Sequence, residues 1–444
     1  MNIEIVRTEG LGDSTYILTH EDVAVVVDPQ RDIDRFQDLL NDSGSGLRYV
    51  LETHLHNDYI SGGRDLAKSL DAELVLPSGA APVFRHRPAF HNEDLDGGAL
   101  TVRPIHTPGH TPEHMAYLIL IDGESVAVFT GGSLLVGSAG RSDLLGLERA
   151  DTLARLQYGS VNRLARLGND VSLYPTHGAG SFCTTSGVHS LTSTIGEEKA
   201  SNPVLAYPDE DSFVAGQLSG LVPFPSYYAH MGPANIAGMD ATSTFTLPTI
   251  TAGEFAAIES VVSVVDARPK SDFAAGHLPE SFAVELRNDF GTWVGWVLPF
   301  NAPIVLVMNP DQDSEEAARQ LSRIGFDDVR GVITDLNDWG TDLSTYLMVN
   351  PEEFAMAVMN GAQTLDVRAP NEREASHITD STYSYVPDIA AEIPDGLDTD
   401  RPLWVACETG YRANLAASIL EAEGHDLRVL TDAGVTDVLA NLSK

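Results

Sequence analysis

Cysteine is almost absent from this chain, with two in 444 residues, Cys183 and Cys407. That excludes a disulfide framework and suits a reducing compartment. Cationic residues are scarce as well: 27 Lys and Arg stand against 64 Asp and Glu, a formal net charge of −37. A field of that sign repels nucleic acid and anionic membranes, so neither is expected as a partner. Apolar runs of membrane-spanning length are missing, and the opening Met1 to Arg7 has neither the basic nor the apolar region of a signal peptide. A soluble, cytoplasmic protein is expected. The 43% hydrophobic content is ample for real cores, and the length suggests about three domains.

What chemistry there is lies concentrated. Cys407 opens the run Cys407-Glu408-Thr409-Gly410-Tyr411-Arg412, directly after the apolar Pro402-Leu403-Trp404-Val405-Ala406. A strand ending in Cys, a turn with Gly, and an Arg at a helix start make a cradle of backbone N–H groups around one sulfur. Such a cradle holds a thiolate, a persulfide or an oxyanion. A free cysteine is more often a small buried hydrophobe, but that reading explains neither the Gly nor the Arg. A phosphatase loop usually has more glycine and a Ser or Thr beside the Arg, where Ala413 stands here.

The surrounding region repeats. An offset of 99 places Pro303 on Pro402, Ala317-Ala318 on Ala416-Ala417, Leu321 on Leu420 and Glu254-Phe255 on Glu353-Phe354. With one insertion, Asp266-Ala267-Arg268 falls on Asp366-Val367-Arg368, and His277 on His377. Short apolar runs (261–265, 304–308, 404–406, 427–430) alternate with helical stretches such as 315–324, which predicts α/β domains with parallel sheets. At the active loop the copies differ. Met308 takes the place of Cys407, and Asp313 that of Arg412. A thioether cannot carry a persulfide, so the first copy is expected to be silent.

The second concentration is Thr53-His54-Leu55-His56-Asn57-Asp58-Tyr59, in the loop after an apolar run. His-x-His there aims two imidazoles at one point, and Asp58 adds a carboxylate. Thr107-Pro108-Gly109-His110-Thr111-Pro112-Glu113-His114, Phe129-Thr130-Gly131-Gly132-Ser133 and Tyr174-Pro175-Thr176-His177-Gly178 follow. His86, His91, His106 and His114 lack a partner pattern and read as structural or surface residues. Cys183 reads as packing. The stretch 224–238, rich in aromatics and proline, reads as an interdomain linker.

The order and spacing of the histidine motifs resemble the metallo-β-lactamase superfamily, which implies an αββα sandwich with a metal site at one edge. "DARP", "DVRAP", "AGHLPES" and the Cys407 loop resemble rhodanese domains, whose cysteine carries a persulfide. The combination is most similar to persulfide dioxygenases fused to rhodanese modules. It implies a metallo-β-lactamase-like domain over 1–240, a rhodanese-like domain without the cysteine over 245–345, and a competent one over 346–444. Implied with it are one ferrous ion, a thiol persulfide substrate of the glutathione or coenzyme A type, a sulfite or thiol acceptor, and a homo-oligomer.

Two positions depart from the family pattern: Tyr59 stands where it has His, and Gly132 where it has a metal-binding Asp. His54, His56 and His110 are therefore the expected ligands, with Asp58 and His177 in reserve, for Fe(II) or Zn, or for no metal at all. An aspartate at 132 is expected to rebuild the iron triad. The reading is a persulfide dioxygenase-like domain coupled to a sulfurtransferase. Its alternatives are a non-oxidising sulfur carrier with a degenerate metal domain, and a Zn-dependent glyoxalase-type hydrolase.

Overall fold

A computed structural model of the chain describes residues 1–184, 190–219, 221–242, 244–337 and 343–444. These form two compact units, Met1–Thr244 with Ser322–Gly325, and Phe245–Leu321 with Phe326–Lys444.

In the first unit, β1 (Asn2–Thr8), β2 (Asp13–His20), β3 (Val23–Val27), β4 (Gly46–Leu51), β5 (Glu73–Pro77) and β6 (Arg87–Ala89) pair in that order in one sheet. The following strands are β7 (Leu95–Asp96), β8 (Thr101–His106), β9 (Met115–Ile121), β10 (Glu124–Gly131), the hairpin β11 (Leu134–Leu135) and β12 (Ser138–Ala139), β13 (Ser172–Pro175) and β14 (Ser193–Thr194). Without the hairpin they make a second sheet in the order β14-β13-β10-β9-β8-β7.

Strand alternation explains the layering. In β3, Val25 and Val27 face the second sheet and pack with Tyr117, Ile119 and Phe129. Ala24 and Val26 point the other way, to Phe36 and Leu40 of α1 (Asp34–Ser43) and Leu66 of α2 (Gly63–Ser69). With both faces covered, the strand is apolar throughout. The outer face of the second sheet is covered by α3 (Leu147–Leu164), whose Ala154, Val161 and Leu164 meet Leu118, Leu120 and Val128. This is the expected αββα sandwich. Three helices follow: α4 (Ile195–Ser201), α5 (Glu210–Leu218) and α6 (Tyr228–Ala237). The expected linker over 224–238 is thus mostly helix α6, inside the first unit.

The second unit holds two similar halves. The first has α7 (Ala252–Ala256), β15 (Ser263–Asp266), α8 (Lys270–Ala275), β16 (Phe282–Ala283), α9 (Phe290–Val297), β17 (Ile304–Val307), α10 (Ser314–Arg323) and β18 (Val329–Ile333). Its parallel sheet runs β16-β15-β17-β18. The second has β19 (Leu347–Val349), α11 (Pro351–Met359), β20 (Gln363–Asp366), α12 (Pro370–Ala375), β21 (Thr382–Tyr383), α13 (Val386–Ala391), β22 (Leu403–Ala406), α14 (Tyr411–Ala422), β23 (Leu427–Leu430) and α15 (Val435–Leu442). Its parallel sheet runs β19-β23-β22-β20-β21. The same ion pair locks each half: Arg268 bonds Asp266 and the Gly276 carbonyl, and Arg368 bonds Asp366 and the Ser376 carbonyl.

Candidate metal centre and sulfur-carrying loop

His54 stands three residues beyond β4, His110 on the loop between β8 and β9, and His177 two residues beyond β13. All three are buried, and each has its Nδ1 engaged. His110 Nδ1 donates to the Arg141 carbonyl at 2.8 Å. His177 Nδ1 meets the Asp13 carboxylate at 2.7 Å. Thr53 Oγ1 donates to Asp28 at 2.7 Å and so accepts from His54 Nδ1 at 2.9 Å. With the Nδ1 protons placed in this way, all three Nε2 atoms carry lone pairs.

Those ligand atoms lie within 4.8 Å of one another. His54 and His177 approach to 3.4 Å, and His110 Nε2 has no hydrogen-bond partner. Converging lone pairs, each backed by an acceptor behind the ring, are the arrangement a cation needs. Burial lowers all three histidines, His110 to about 3, so the rings are neutral and able to ligate. An all-imidazole set suits Fe(II) or Zn(II).

This trio differs from the expected one. His56 turns its Nε2 to Glu52 at 3.1 Å, Asp28 at 3.2 Å and the Tyr59 hydroxyl at 3.0 Å. Burial opposes charge on His56, but Asp28 and Glu52 outweigh it and raise its pKa well above the imidazole value. The buried Nδ1 of His56 has no partner. His56, Asp58 and His177 form a second group within ligand distance, and Asp28, Glu52 and His56 a third. Burial raises Asp13 and Asp58 to about 7.

Gly132 follows β10 against the His110 ring, and a Cβ there would fall 2.3 Å from His110 Cδ2. The space an aspartate at 132 would need is therefore held by His110 itself, which corrects the expectation of simple restoration. Gly132 N–H donates to His114 Nε2 at 2.9 Å, and His114 Nδ1 to Thr107 Oγ1 at 2.8 Å, so His114 is structural as expected. His86, His91 and His106 are exposed or half-buried. Cys183 donates to Asp58 at 3.5 Å, and burial keeps its thiol protonated.

Sequence reasoning missed Asp13, Asp28, Glu52 and Asn235. Asn235 on α6 donates to the carbonyls of His56 and Tyr59, both at 2.9 Å, and accepts from Ser61 N–H at 2.8 Å. Glu113 accepts from Leu55 N–H at 2.9 Å and so ties two of the histidine motifs together. An acidic residue ending an apolar run, as Asp28 does, was the one available signal.

In the second unit Cys407 directly follows β22 and is buried. Gly410 N–H points at its Sγ from 3.1 Å, and Ala413 N–H from 3.4 Å. Gly410 has φ +84°, a left-handed turn that glycine makes freely, and it opens α14. Arg412 chelates Glu372, its Nη2 lying 2.8 Å from Oε1. Glu408 faces Arg368 at 3.3 Å, and Thr409 is exposed. Tyr411 turns away from the sulfur: its ring lies 5.9 Å from Trp293 of the first half, with the Arg287 guanidinium 4.3 Å over its face.

The matching loop of the first half is filled by its own side chains. Gln312 accepts from Asn309 N–H and donates to the Ala267 carbonyl, both at 2.8 Å. Asp313 accepts the Glu315 and Glu316 N–H groups, both at 3.0 Å, at the start of α10. Met308 is buried.

Residues 8–177 match the metallo-beta-lactamase superfamily, and residues 252–342 and 350–439 each match the rhodanese-like domain. The chain is 28% identical over 241 residues to a hydroxyacylglutathione hydrolase of Methylobacillus flagellatus, covering 51% of this chain and 96% of that one. It is 29% identical over 233 residues to the mitochondrial persulfide dioxygenase ETHE1 of Homo sapiens, covering 50% and 82%. A solved metallo-beta-lactamase from Staphylococcus aureus COL superposes with a TM-score of 0.68 at 25% identity, covering 76% of this chain and 99% of that one. Among the described residues no helix is long and apolar enough to cross a membrane. The chain therefore joins a metallo-beta-lactamase superfamily domain, homologous to persulfide dioxygenase ETHE1, to two rhodanese-like domains.

Proposed function

We propose that this chain is a sulfur-metabolism enzyme in which a metal-dependent domain oxidises a low-molecular-weight thiol persulfide and Cys407 carries sulfane sulfur. One observation carries the sulfur reading. The Cys407 Sγ receives two backbone N–H groups at a helix start, with Arg412 in the first turn of that helix. His54, His110 and His177 would hold the metal, which when bound supplies the site where persulfide and O₂ meet. Asp13, the Thr53–Asp28 relay and the Arg141 carbonyl keep each Nε2 aimed inward. The net reaction takes persulfide, O₂ and water to thiol, sulfite and two protons. Cys407 would accept a sulfane sulfur and pass it to a thiol or sulfite, while the filled first-half loop would take no part.

Oxygen uptake with glutathione or coenzyme A persulfide on anaerobically iron-loaded protein tests this, with metal content measured on the same sample. One O₂ consumed per persulfide, in proportion to iron, is expected. No uptake at full iron occupancy rejects the dioxygenase reading. A zinc-dependent thioester hydrolase is the second reading, favoured by the carboxylate-free ligand trio. Zinc-dependent release of thiol from a glutathione thioester would select it.

A further inference from the structure

We infer that the Cys407 loop moves sulfur between organic persulfides and thiols and is closed to thiosulfate-type dianions, with Glu372 setting that selectivity. The inference rests on Cys407 as the sulfur carrier.

Amides at a helix N-terminus with an adjacent Arg make a receptor for anions. Here each guanidinium of the surroundings already has a carboxylate. Both Nη atoms of Arg412 are on Glu372. Arg368 chelates Asp366, with contacts of 2.8 to 3.3 Å, and reaches Glu408 at 3.3 Å. Arg373 lies 3.3 Å from Asp366. Glu372 and Arg412 keep side-chain exposures of 30% and 17%, so the pair is only partly screened by solvent.

A thiosulfate donor carries its sulfonate directly on the reacting sulfur. To gain a guanidinium partner that group would have to displace Glu372 from Arg412, or Glu408 and Asp366 from Arg368. Like charges brought together in this way repel one another. An organic persulfide puts an uncharged, carbon-bound sulfur in the same place. The net charge of −37 adds a long-range repulsion of dianions.

The transfer balances without a further reactant. The Cys407 thiolate attacks the outer sulfur of R–S–SH, a Cys–S–SH bond forms, and RS⁻ leaves with the electron pair of the broken S–S bond. An acceptor thiolate R′S⁻ then attacks the outer sulfur of Cys–S–SH, giving R′–S–SH and restoring the Cys407 thiolate. By the same argument sulfite, a dianion, is a poor acceptor, which narrows the acceptor of the proposed function to a thiol.

The test is an anaerobic assay on the full chain, so that no O₂ consumes the donor, comparing cysteamine persulfide with thiosulfate and N-acetylcysteine as acceptor. The wild type is expected to favour the persulfide by about 100-fold in kcat/KM. Glu372→Gln is expected to raise kcat/KM for thiosulfate about tenfold, through KM, and so to shrink the ratio between donors. Glu408→Gln should act in the same direction. A wild type that uses thiosulfate as well as persulfide overturns the inference, and that comparison needs no variant to fold. So does a donor ratio unmoved in both folded variants. Cys407→Ser separates the two levels: donor-dependent transfer that survives in it removes Cys407 as carrier, and the selectivity argument with it.

Discussion

Gly132 and His110 exclude one another's side chains: a methyl group on residue 132 would fall 2.3 Å from Cδ2 and 2.7 Å from Nε2 of the imidazole. The His110 ring is fixed from its other edge by the Arg141 carbonyl, so it has little freedom to yield. The glycine at this position is the space that lets His110 reach His54 and His177.

The smallest change there is therefore expected to be costly. Gly132→Ala should destabilise the first unit by about 1–3 kcal/mol, the usual range for overpacking a dense interior. It should also lower the metal bound after reconstitution. Gly132→Asp should likewise fail to raise metal affinity. Metal content and Tm on the same preparations check both, and tighter binding by either variant would sink this account.

Asp13 holds the Nδ1 proton of His177 at 2.7 Å. Asp13→Asn replaces the carboxyl behind the ring and can present its amide N–H₂ in place of an acceptor. Metal affinity is expected to fall by about 10- to 100-fold, the range seen for outer-shell partners of ligating histidines. A competitive chelator titration measures this, with an unchanged circular dichroism spectrum as control.

Asn235 closes the loop after β4 from helix α6 through three hydrogen bonds, to His56, Tyr59 and Ser61. Asn235→Ala leaves buried carbonyls and an N–H group without partners, at a cost of about 1–3 kcal/mol for each group left fully unsatisfied. A lower urea midpoint for the first unit and weaker metal retention are expected. Retained midpoint and metal content would show that α6 does not hold the loop.

Met308→Cys in a Cys407→Ser background should not recover sulfur transfer. A new thiol would sit where the Gln312 side chain and Asp313 already take up the loop's polar groups. Sulfane sulfur bound per chain, read by cyanolysis, is expected to stay at background. Turnover by this variant would show that cysteine alone separates the two copies.

Local pattern carried most of the architecture. The 99-residue repeat reappears as β17 on β22, since Ile304–Val307 and Leu403–Ala406 keep that offset. Cys407 at a strand end, Gly410 and Arg412 specify a turn that needs only neighbouring residues, which is why that loop was legible. The histidine motifs likewise announced a metal site. Their grouping was not legible, because a side chain's partner is fixed by strands that meet only in the folded sandwich. His56 is only two residues from His54, yet Asp28 and Glu52, one from the end of β3 and one from the end of β4, draw its Nε2 away. His177 lies 123 residues from His54 and comes within 3.4 Å of it. Asn235, in a stretch that reads as a linker, becomes the clasp of the loop after β4. The sequence by itself determined which chemistries the chain can hold, through residue type and turn geometry. Only the tertiary structure decided which imidazoles converge, because acceptors behind the rings hold Nδ1 of His54, His110 and His177 and leave their Nε2 lone pairs to face one another.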